Sequence, residues 1–328
     1  MPTRRATLLA APLLALPARG FAQAGSAPAG FPDRPVRMLV GFAAGGLTDV
    51  TARALAQGMS EAVGQPVVVE NRPGAAGNLA SEQAARAPAD GYTLLMAYCG
   101  QVTINPHTYG NLSFDPLRDL TGITRVSRTD VALVAHPSFP ANDLQGVIAE
   151  ARRQPGALNY ATAGNGSLLH VIGELLQRRT NTQMQGVHFR GSAAAIPEVL
   201  AGRIPLLIDP VPTIAEHVRA GRLKALTVFA EARSPLLPNV PTAAESGLPD
   251  FAFDNWFGLL APSATPPALV ERLSAVAGQV LRQPAMVERM TGQGIIPAPT
   301  TPAEVQRLLA SESRVFGEVI RAANIRAD

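Results

Sequence analysis

The sequence predicts a two-lobed α/β protein with a parallel sheet in each lobe. Three observations predict it. Short apolar runs alternate with segments of helical periodicity, that alternation breaks off and then returns, and glycine-rich turns stand where several of the apolar runs end. Length agrees, because 328 residues suffice for two domains of ordinary size. Hydrophobic residues make up 47% and charged residues 16%, a balance that fills cores and excludes a disordered chain.

The first set of elements is justified in order. Residues 36–42 form a compact apolar run between Arg34-Pro35 and glycine-rich sequence, which predicts a buried strand. Over 48–63 the apolar residues Val50, Ala54, Leu55, Met59, Ala62 and Val63 recur at helical spacing, and Gly64 and Pro66 stop the helix. Val67-Val68-Val69 predicts a second strand, ended by Asn71-Arg72-Pro73-Gly74. A helix over 79–86, a turn at Asp90-Gly91 and a strand over 92–98 complete the series. Strand, helix, strand, helix, strand requires a parallel sheet with right-handed crossovers.

The series returns with strands over 159–162, 187–190, 205–209 and 223–229, separated by helices over 168–179, 193–201 and 214–220. Amphipathic helices over 267–281 and 302–323 close the chain. No short-period repeat and no low-complexity linker divides the two sets, so the lobes must be joined by short crossing strands. The candidates are 123–135 and 251–261. The first lobe is then discontinuous, 31–128 with 255–328, and the second continuous over 129–254, after a flexible leader at 25–33.

The N-terminus reads as a removable signal. Arg4 and Arg5 precede an apolar run over 6–18, and Ala22-Gln23-Ala24 places small residues at the cleavage-determining positions. Residues 1–24 are therefore expected to direct export to the periplasm. The run is too short, and too broken by Pro12 and Pro17, to span a bilayer. Residues 3–8 loosely resemble a twin-arginine signal, and an ordinary Sec signal fits as well. Removing 1–24 takes Arg4, Arg5 and Arg19 from the 28 basic residues, which leaves 25 against 25 acidic ones. The mature chain is formally neutral, and no basic patch points to nucleic acid. Cys99 is the sole cysteine, so no disulfide can form within the chain.

Three turns each follow a strand and open a helix: residues 42–49, 163–167 and 190–192. The first turn of a helix leaves backbone N–H groups without partners, and the helix dipole adds partial positive charge there. Glycine lets a ligand approach that backbone. Such a turn binds an anion without a charged side chain. Ligands of open α/β sheets sit at these carboxyl ends of strands, so turns from both lobes could line one cleft. Asp49 stands one helical position beyond the first loop. It either caps the helix and holds the loop or touches the ligand.

Other chemistries are disfavoured. Residues 41–48 have the outline of a P-loop, but Leu47 stands where the phosphate-binding lysine belongs. Gly164-Asn165-Gly166 begins a dinucleotide fingerprint that Leu169 breaks. His107, His136, His170, His188 and His217 have no metal-ligand spacing, so neither metal nor cofactor is expected. Ser167 and His170 could face each other as an exported hydrolase would need, but no nucleophile elbow surrounds the serine, and a helix cap or anion donor suits it better. Trp256, the only tryptophan, is either core packing or an aromatic floor near the crossing.

The sequence resembles the Bug family of extracytoplasmic solute receptors, the binding components of tripartite tricarboxylate transporters. The resemblance runs from Phe31-Pro32-Asp33-Arg34-Pro35 to Ala322-Ala323-Asn324-Ile325. It includes residues 65–74, Asp90-Gly91-Tyr92-Thr93-Leu94-Leu95, Asn105-Pro106, residues 158–167, Leu237-Pro238-Asn239-Val240-Pro241-Thr242 and residues 256–262. The resemblance implies a periplasmic binding protein fold of type II, two lobes joined by two crossing strands, with a cleft that closes on a ligand. It implies a small organic carboxylate: a dicarboxylate, a citrate-like acid, an acidic amino acid or an aromatic carboxylate.

Carried onto this chain, the binding residues implied are Phe42, Ala44, Gly45, Gly46 and Asp49 in the first loop, Gly164, Asn165, Gly166 and Ser167 in the second, and Arg190, Gly191 and Ser192 in the third. Asp209 falls where the family often has an acid near the cleft, and Tyr98, Cys99 and Gln101 lie in its variable pocket segment. Trp256 completes the set at the return crossing. Two departures stand out: Ala44 replaces the family's usual proline, and Phe189 its usual tyrosine. Arg190 either pairs with the ligand or faces the surface. The expected partners are the ligand and the transporter's membrane subunits. The expected state is a monomer, and a receptor feeding a membrane sensor would need the same closing cleft.

Overall fold

Val36, Met38 and Val40 point to one face of the first strand and Leu39 to the other, and all four are buried. A strand buried on both faces must be covered on both faces, and its neighbours do this. The computed structural model describes residues 30–327; the predicted signal, residues 1–24, lies outside them. Among the described residues the strands are β1 Val36–Val40, β2 Val67–Asn71, β3 Thr93–Tyr98, β4 Leu120–Thr129, β5 Val131–Ala135, β6 Asn159–Thr162, β7 Gln185–His188, β8 Leu206–Pro210, β9 Lys224–Val228, β10 Asn255–Pro262 and β11 Ile296–Pro297. They form two sheets, ordered β11-β4-β10-β3-β1-β2 and β7-β6-β8-β5-β9.

The predicted parallel series holds within each βα set: β1 pairs in parallel with β2 and β3, and β6 with β7 and β8. The sheets as wholes are mixed, which corrects the expectation of parallel sheets. β10 lies antiparallel between β3 and β4, and β5 antiparallel between β8 and β9. The physical reason is the two crossings, since a strand that returns from the other lobe can enter its sheet reversed.

The first crossing is abrupt. β4 ends at Thr129, Asp130 intervenes, and β5 starts at Val131. The return passes beside it, with the Phe253 N–H donating to the Phe229 carbonyl at 2.9 Å. Asn255 pairs with Thr129, and its Nδ2 donates to the threonine Oγ1 at 2.8 Å, both residues being buried. Buried polar groups that satisfy each other fix the register of the two crossing strands. Both crossings fall within the predicted segments.

Helix Leu47–Val63 packs its Leu55 and Met59 against Met38, Val40 and Met96 of the first sheet, where helix Pro267–Leu281 adds Leu273 and Val280. Each such side chain, fully withdrawn from water, contributes about 2 kcal/mol. A second cluster joins the other face of this sheet, through Leu39, Leu95 and Trp256, to Leu133, Leu169 and Ile208 of the second lobe. Helix Pro302–Ala323 runs along that join and packs on both β4 and helix Leu168–Thr180.

Several elements depart from the sequence reading. β7 starts two residues before the predicted strand, and helices Leu144–Arg153 and Pro284–Gly292 were not anticipated. Asp143 caps the former by accepting from the Gly146 N–H at 2.7 Å, a signal present in the sequence.

Candidate functional site

A cavity of about 300 Å³ opens between the two sheets at the carboxyl ends of β1, β3, β6 and β8. The lobe carrying β1 supplies Phe42, Leu47 and Thr48 from the loop after β1, and Tyr98 and Gln101 from the end of β3. The other lobe supplies residues 163–167, Leu169 and Ser192. Asn255 and Phe257 enter from the returning strand β10. Among the described residues, no arginine, lysine, histidine, aspartate or glutamate lines it.

The first loop is held from below. Asp49, almost fully buried, accepts from the Gly45 N–H at 2.9 Å, from Asn71 Nδ2 at 2.9 Å and from Arg53 Nε at 2.9 Å. Burial alone would raise this carboxyl. The bonds from Arg53, Gly45 and Asn71 outweigh it and leave the group below the usual carboxylate range. Asn71 also donates to the Phe42 carbonyl at 3.0 Å. Gly45 needs its φ of +86° to present its N–H to Asp49, and glycine takes that conformation without strain. Helix Leu47–Val63 begins after Gly46 with no side-chain cap, so its first N–H groups and its dipole face the cavity beside Thr48.

The second loop is closed on itself. Ser167 Oγ donates to the Gly164 carbonyl at 2.7 Å and accepts from the His170 N–H at 3.4 Å, capping helix Leu168–Thr180. The Gly166 N–H donates to His170 Nδ1 at 3.1 Å. Neither bond joins the Ser167 hydroxyl to the imidazole, so the arrangement a hydrolase would need is not made. Burial, with the neighbouring His188 ring 3.9 Å away, pushes His170 down to about 3 and keeps it neutral. Across the cleft, the Leu168 N–H meets the Tyr98 hydroxyl, while burial pushes that phenol up.

In the third loop Gly191, at φ +100°, donates its N–H to the Ala163 carbonyl at 2.8 Å and so ties the second and third loops together. The Ser192 hydroxyl donates to Asp209 Oδ1 at 2.8 Å, and Thr213 donates to Oδ2 of the same carboxylate. Burial raises Asp209 to about 6, against the pull of these two hydroxyls. Asp209 reaches the cavity only through Ser192.

The structure thus gathers Phe42, Tyr98, Gln101, Gly164, Asn165, Gly166, Ser167 and Ser192 around one cavity. It does not bring Ala44, Gly45, Gly46, Asp49, Arg190, Gly191, Asp209 or Trp256 to the lining. Ala44, Gly45, Gly46 and Arg190 are exposed, Asp49 and Asp209 are buried behind the walls, and Gly191 is spent on a neighbouring loop. Trp256 is fully buried with its Nε1 donating to Glu312 at 2.9 Å, so of its two readings the packing role is the one formed.

Its neighbour Phe257 takes the cavity side, because successive strand residues point to opposite faces. Phe257, Tyr98 and Phe42 form an aromatic wall, with the Tyr98 ring centroid 5.9 Å from that of Phe42 and 5.9 Å from that of Phe257. Phe257, Asn255, Thr48 and Tyr109 were not singled out in the sequence. Strand parity around Trp256 would have offered Phe257, and the hydroxyl after Gly46-Leu47 would have offered Thr48. Asn255 and Tyr109 carried no signal.

Asn165 Nδ2 donates to the Arg326 carbonyl at 2.7 Å, and the Ala327 N–H donates to the Thr108 carbonyl at 3.1 Å. The stretch at 325–327 therefore straps one lobe to the other at the cavity rim, with Ala327 in the lining. No group of His, Cys, Asp and Glu among the described residues is arranged to hold a metal ion. No helix among them is long and apolar enough to cross a membrane.

Comparison with known proteins adds an independent finding. The family described as Tripartite tricarboxylate transporter family receptor matches residues 51–325. Protein BugT of Bordetella pertussis is 34% identical over 292 residues, 89% of this chain and 90% of that protein. The Rhodopseudomonas palustris protein Rpa4515, solved with adipate, superposes with a TM-score of 0.79 at 32% identity, covering 90% of this chain and 99% of that one. MatC from Rhodopseudomonas palustris with bound malate superposes with a TM-score of 0.75 at 32% identity, covering 88% and 100%.

Proposed function

The chain belongs to the tripartite tricarboxylate transporter receptor family, and from that premise we propose that it captures a small organic carboxylate in the periplasm and presents it to the membrane subunits of such a transporter. Family and neighbours are receptors and binding proteins, and the chain is a binding protein, not an enzyme. The observation that carries the carboxylate reading is the bare start of helix Leu47–Val63, opening into a cavity between two sheets. An anion placed there meets backbone N–H groups and the positive end of a helix dipole. Adipate in one neighbour and malate in another support the same chemistry.

The cycle follows from the two crossings. The lobes, 31–128 with 255–328 and 129–254, open about them, the carboxylate docks on the first lobe, and the second closes over it. Closure removes water and strengthens the bonds in the drier site. The closed face is what membrane subunits would recognise. Residues 1–24 direct export.

The test is calorimetric and thermal titration of the exported chain, unfolded and refolded to remove any carried ligand, with carboxylates and their neutral amides. A true ligand at 100 times its dissociation constant adds about 2.7 kcal/mol of stability. A carboxylate should bind and its amide should not. Equal binding of both would overturn the reading.

A further inference from the structure

We infer that a second pocket, outside the cavity and beside the strap at 325–327, binds a phosphate group, and that its occupancy holds the two lobes closed. The pocket has a volume of about 380 Å³ and lies where the end of helix Pro302–Ala323 meets the short helix Asn105–Thr108. Arg321, Arg326, His107, Thr108 and Asn324 line it, and no aspartate or glutamate among the described residues does. Tyr109 lines both this pocket and the cavity, so the two share a wall.

The sequence builds this corner locally. Asn324 ends the helix at φ +50°, its N–H donating to the Arg321 carbonyl at 3.3 Å and the Ile325 N–H to the Ile320 carbonyl at 3.0 Å. Ile325 is buried, and the turn brings Arg326 to the same pocket as Arg321. On the same helix Arg314 reaches Glu318, whereas neither Arg321 nor Arg326 has a carboxylate partner among the described residues. The negative end of the helix dipole opposes an anion with only about half an elementary charge, against two guanidinium charges. A second observation is independent of charge. Thr108 is 2% exposed and lines this pocket, yet its hydroxyl has no hydrogen-bond partner among the described residues. An oxyanion in the pocket would accept that hydrogen.

Phosphate suits the site better than a lone carboxylate. Guanidinium forks match its oxygens in pairs, and it has a further oxygen for the threonine. The volume, roughly thirteen waters' share of liquid, leaves room for a small organic body beside the anion. Free organic phosphates and the head groups of anionic phospholipids carry this same chemistry. Occupancy bears on closure through Arg326, whose carbonyl accepts from Asn165 Nδ2 of the other lobe at 2.7 Å. An anion that ties Arg326 to Arg321 holds that carbonyl in place, and by linkage closure holds the anion.

The experiment titrates the exported chain with inorganic phosphate and glycerol 3-phosphate by calorimetry at low ionic strength, where the two charges are least screened. In parallel, the chain is sedimented with vesicles of phosphatidylglycerol or of phosphatidylcholine. Arg321→Gln combined with Arg326→Gln, both at exposed positions, should weaken binding at least tenfold. Saturation by the soluble phosphates identifies a free anion as the source, and capture by phosphatidylglycerol vesicles alone identifies a head group; either supports the site if the double variant loses it. Thr108→Val should weaken phosphate about threefold without lowering the melting temperature, because it removes an unpaired hydroxyl. Burial and the Arg321 charge lower His107, while Asp115, outside the lining, pulls the other way. Bound phosphate opposes Arg321, so the His107 ring should titrate at higher pH by NMR. Phosphate should also reduce the radius of gyration, and Asn165→Ala should abolish that reduction. Binding of none of these probes, or binding that the double variant leaves intact, would overturn the site. Binding with no change in radius of gyration would overturn its link to closure. Neither result touches the carboxylate reading of the cavity.

Discussion

The two walls of the cavity solve the same problem in opposite ways. The loop after β1 is anchored from beneath by Asp49, Arg53 and Asn71, and its helix start is left without a side-chain cap. The loop after β6 uses its own hydroxyl and imidazole as caps, through Ser167 and His170. Two glycine-rich turns that look equivalent in sequence are therefore unequal as donors. A helix end is an anion site only where nothing in the protein has already satisfied it.

The largest expected effect comes from removing the anchor. Asp49→Ala frees the Gly45 N–H, Asn71 and Arg53 together. It should lower unfolding free energy by about 2 kcal/mol and ligand affinity by more than tenfold, measured by denaturant titration and calorimetry. Unchanged affinity would mean that the first wall does not need its anchored shape.

Ser167→Ala attacks the other wall. Loss of the cap should cost about 1 kcal/mol of stability but change affinity less than about threefold. A tenfold loss of affinity would erase the asymmetry and make the second turn a direct donor. Tyr98→Phe removes the hydroxyl that meets the Leu168 N–H across the cleft. It should weaken binding about threefold through closure, with little change in the stability of the open form.

The smallest effects are pH-dependent, and the two walls should differ in sign. Behind the first wall, burial pushes Glu312 up to about 7 from 4.5, partly offset by the Trp256 indole and by Thr103. A raised carboxyl contributes stability that is full below its ordinary pKa and is lost as pH rises through about 7. Behind the second wall, burial lowers His170 and His188 from 6.5. Their contribution is present above 6.5 and is lost as pH falls. Glu312→Gln should therefore flatten the alkaline side of a stability-versus-pH curve, and His170→Gln the acid side. Trp256, the single tryptophan, reports the first titration directly. Its emission should shift with a midpoint near pH 7, and a shift that survives Glu312→Gln would sink the assignment.

How much was legible in the sequence depends on the range of the interaction. Helix Leu47–Val63 and strands β1 and β3 were legible because periodicity and the stops at Gly64 and Pro66 are local. Asp49 as a loop holder was one of its two readings, because a cap acts within one turn. Asp209 was placed near the cleft, but its burial behind Ser192 depends on a pairing with a helix start 17 residues earlier. The self-capping of Ser167 was half-legible: the serine suits a cap, while the bond from Gly166 to His170 gave no sequence signal.

The sequence by itself determined the alternation of strands and helices, the places of the three glycine turns and the two segments that cross between lobes. Each follows from the spacing of apolar residues and from backbone conformations that glycine and proline permit or forbid. Tertiary structure decided the rest: that β10 enters reversed between β3 and β4, that Phe257 and not Trp256 faces the cavity, and that most polar side chains in the lining are already committed. Those outcomes depend on pairings between residues far apart in the chain, and a strand displaced by one residue would have turned every one of its side chains to the other face.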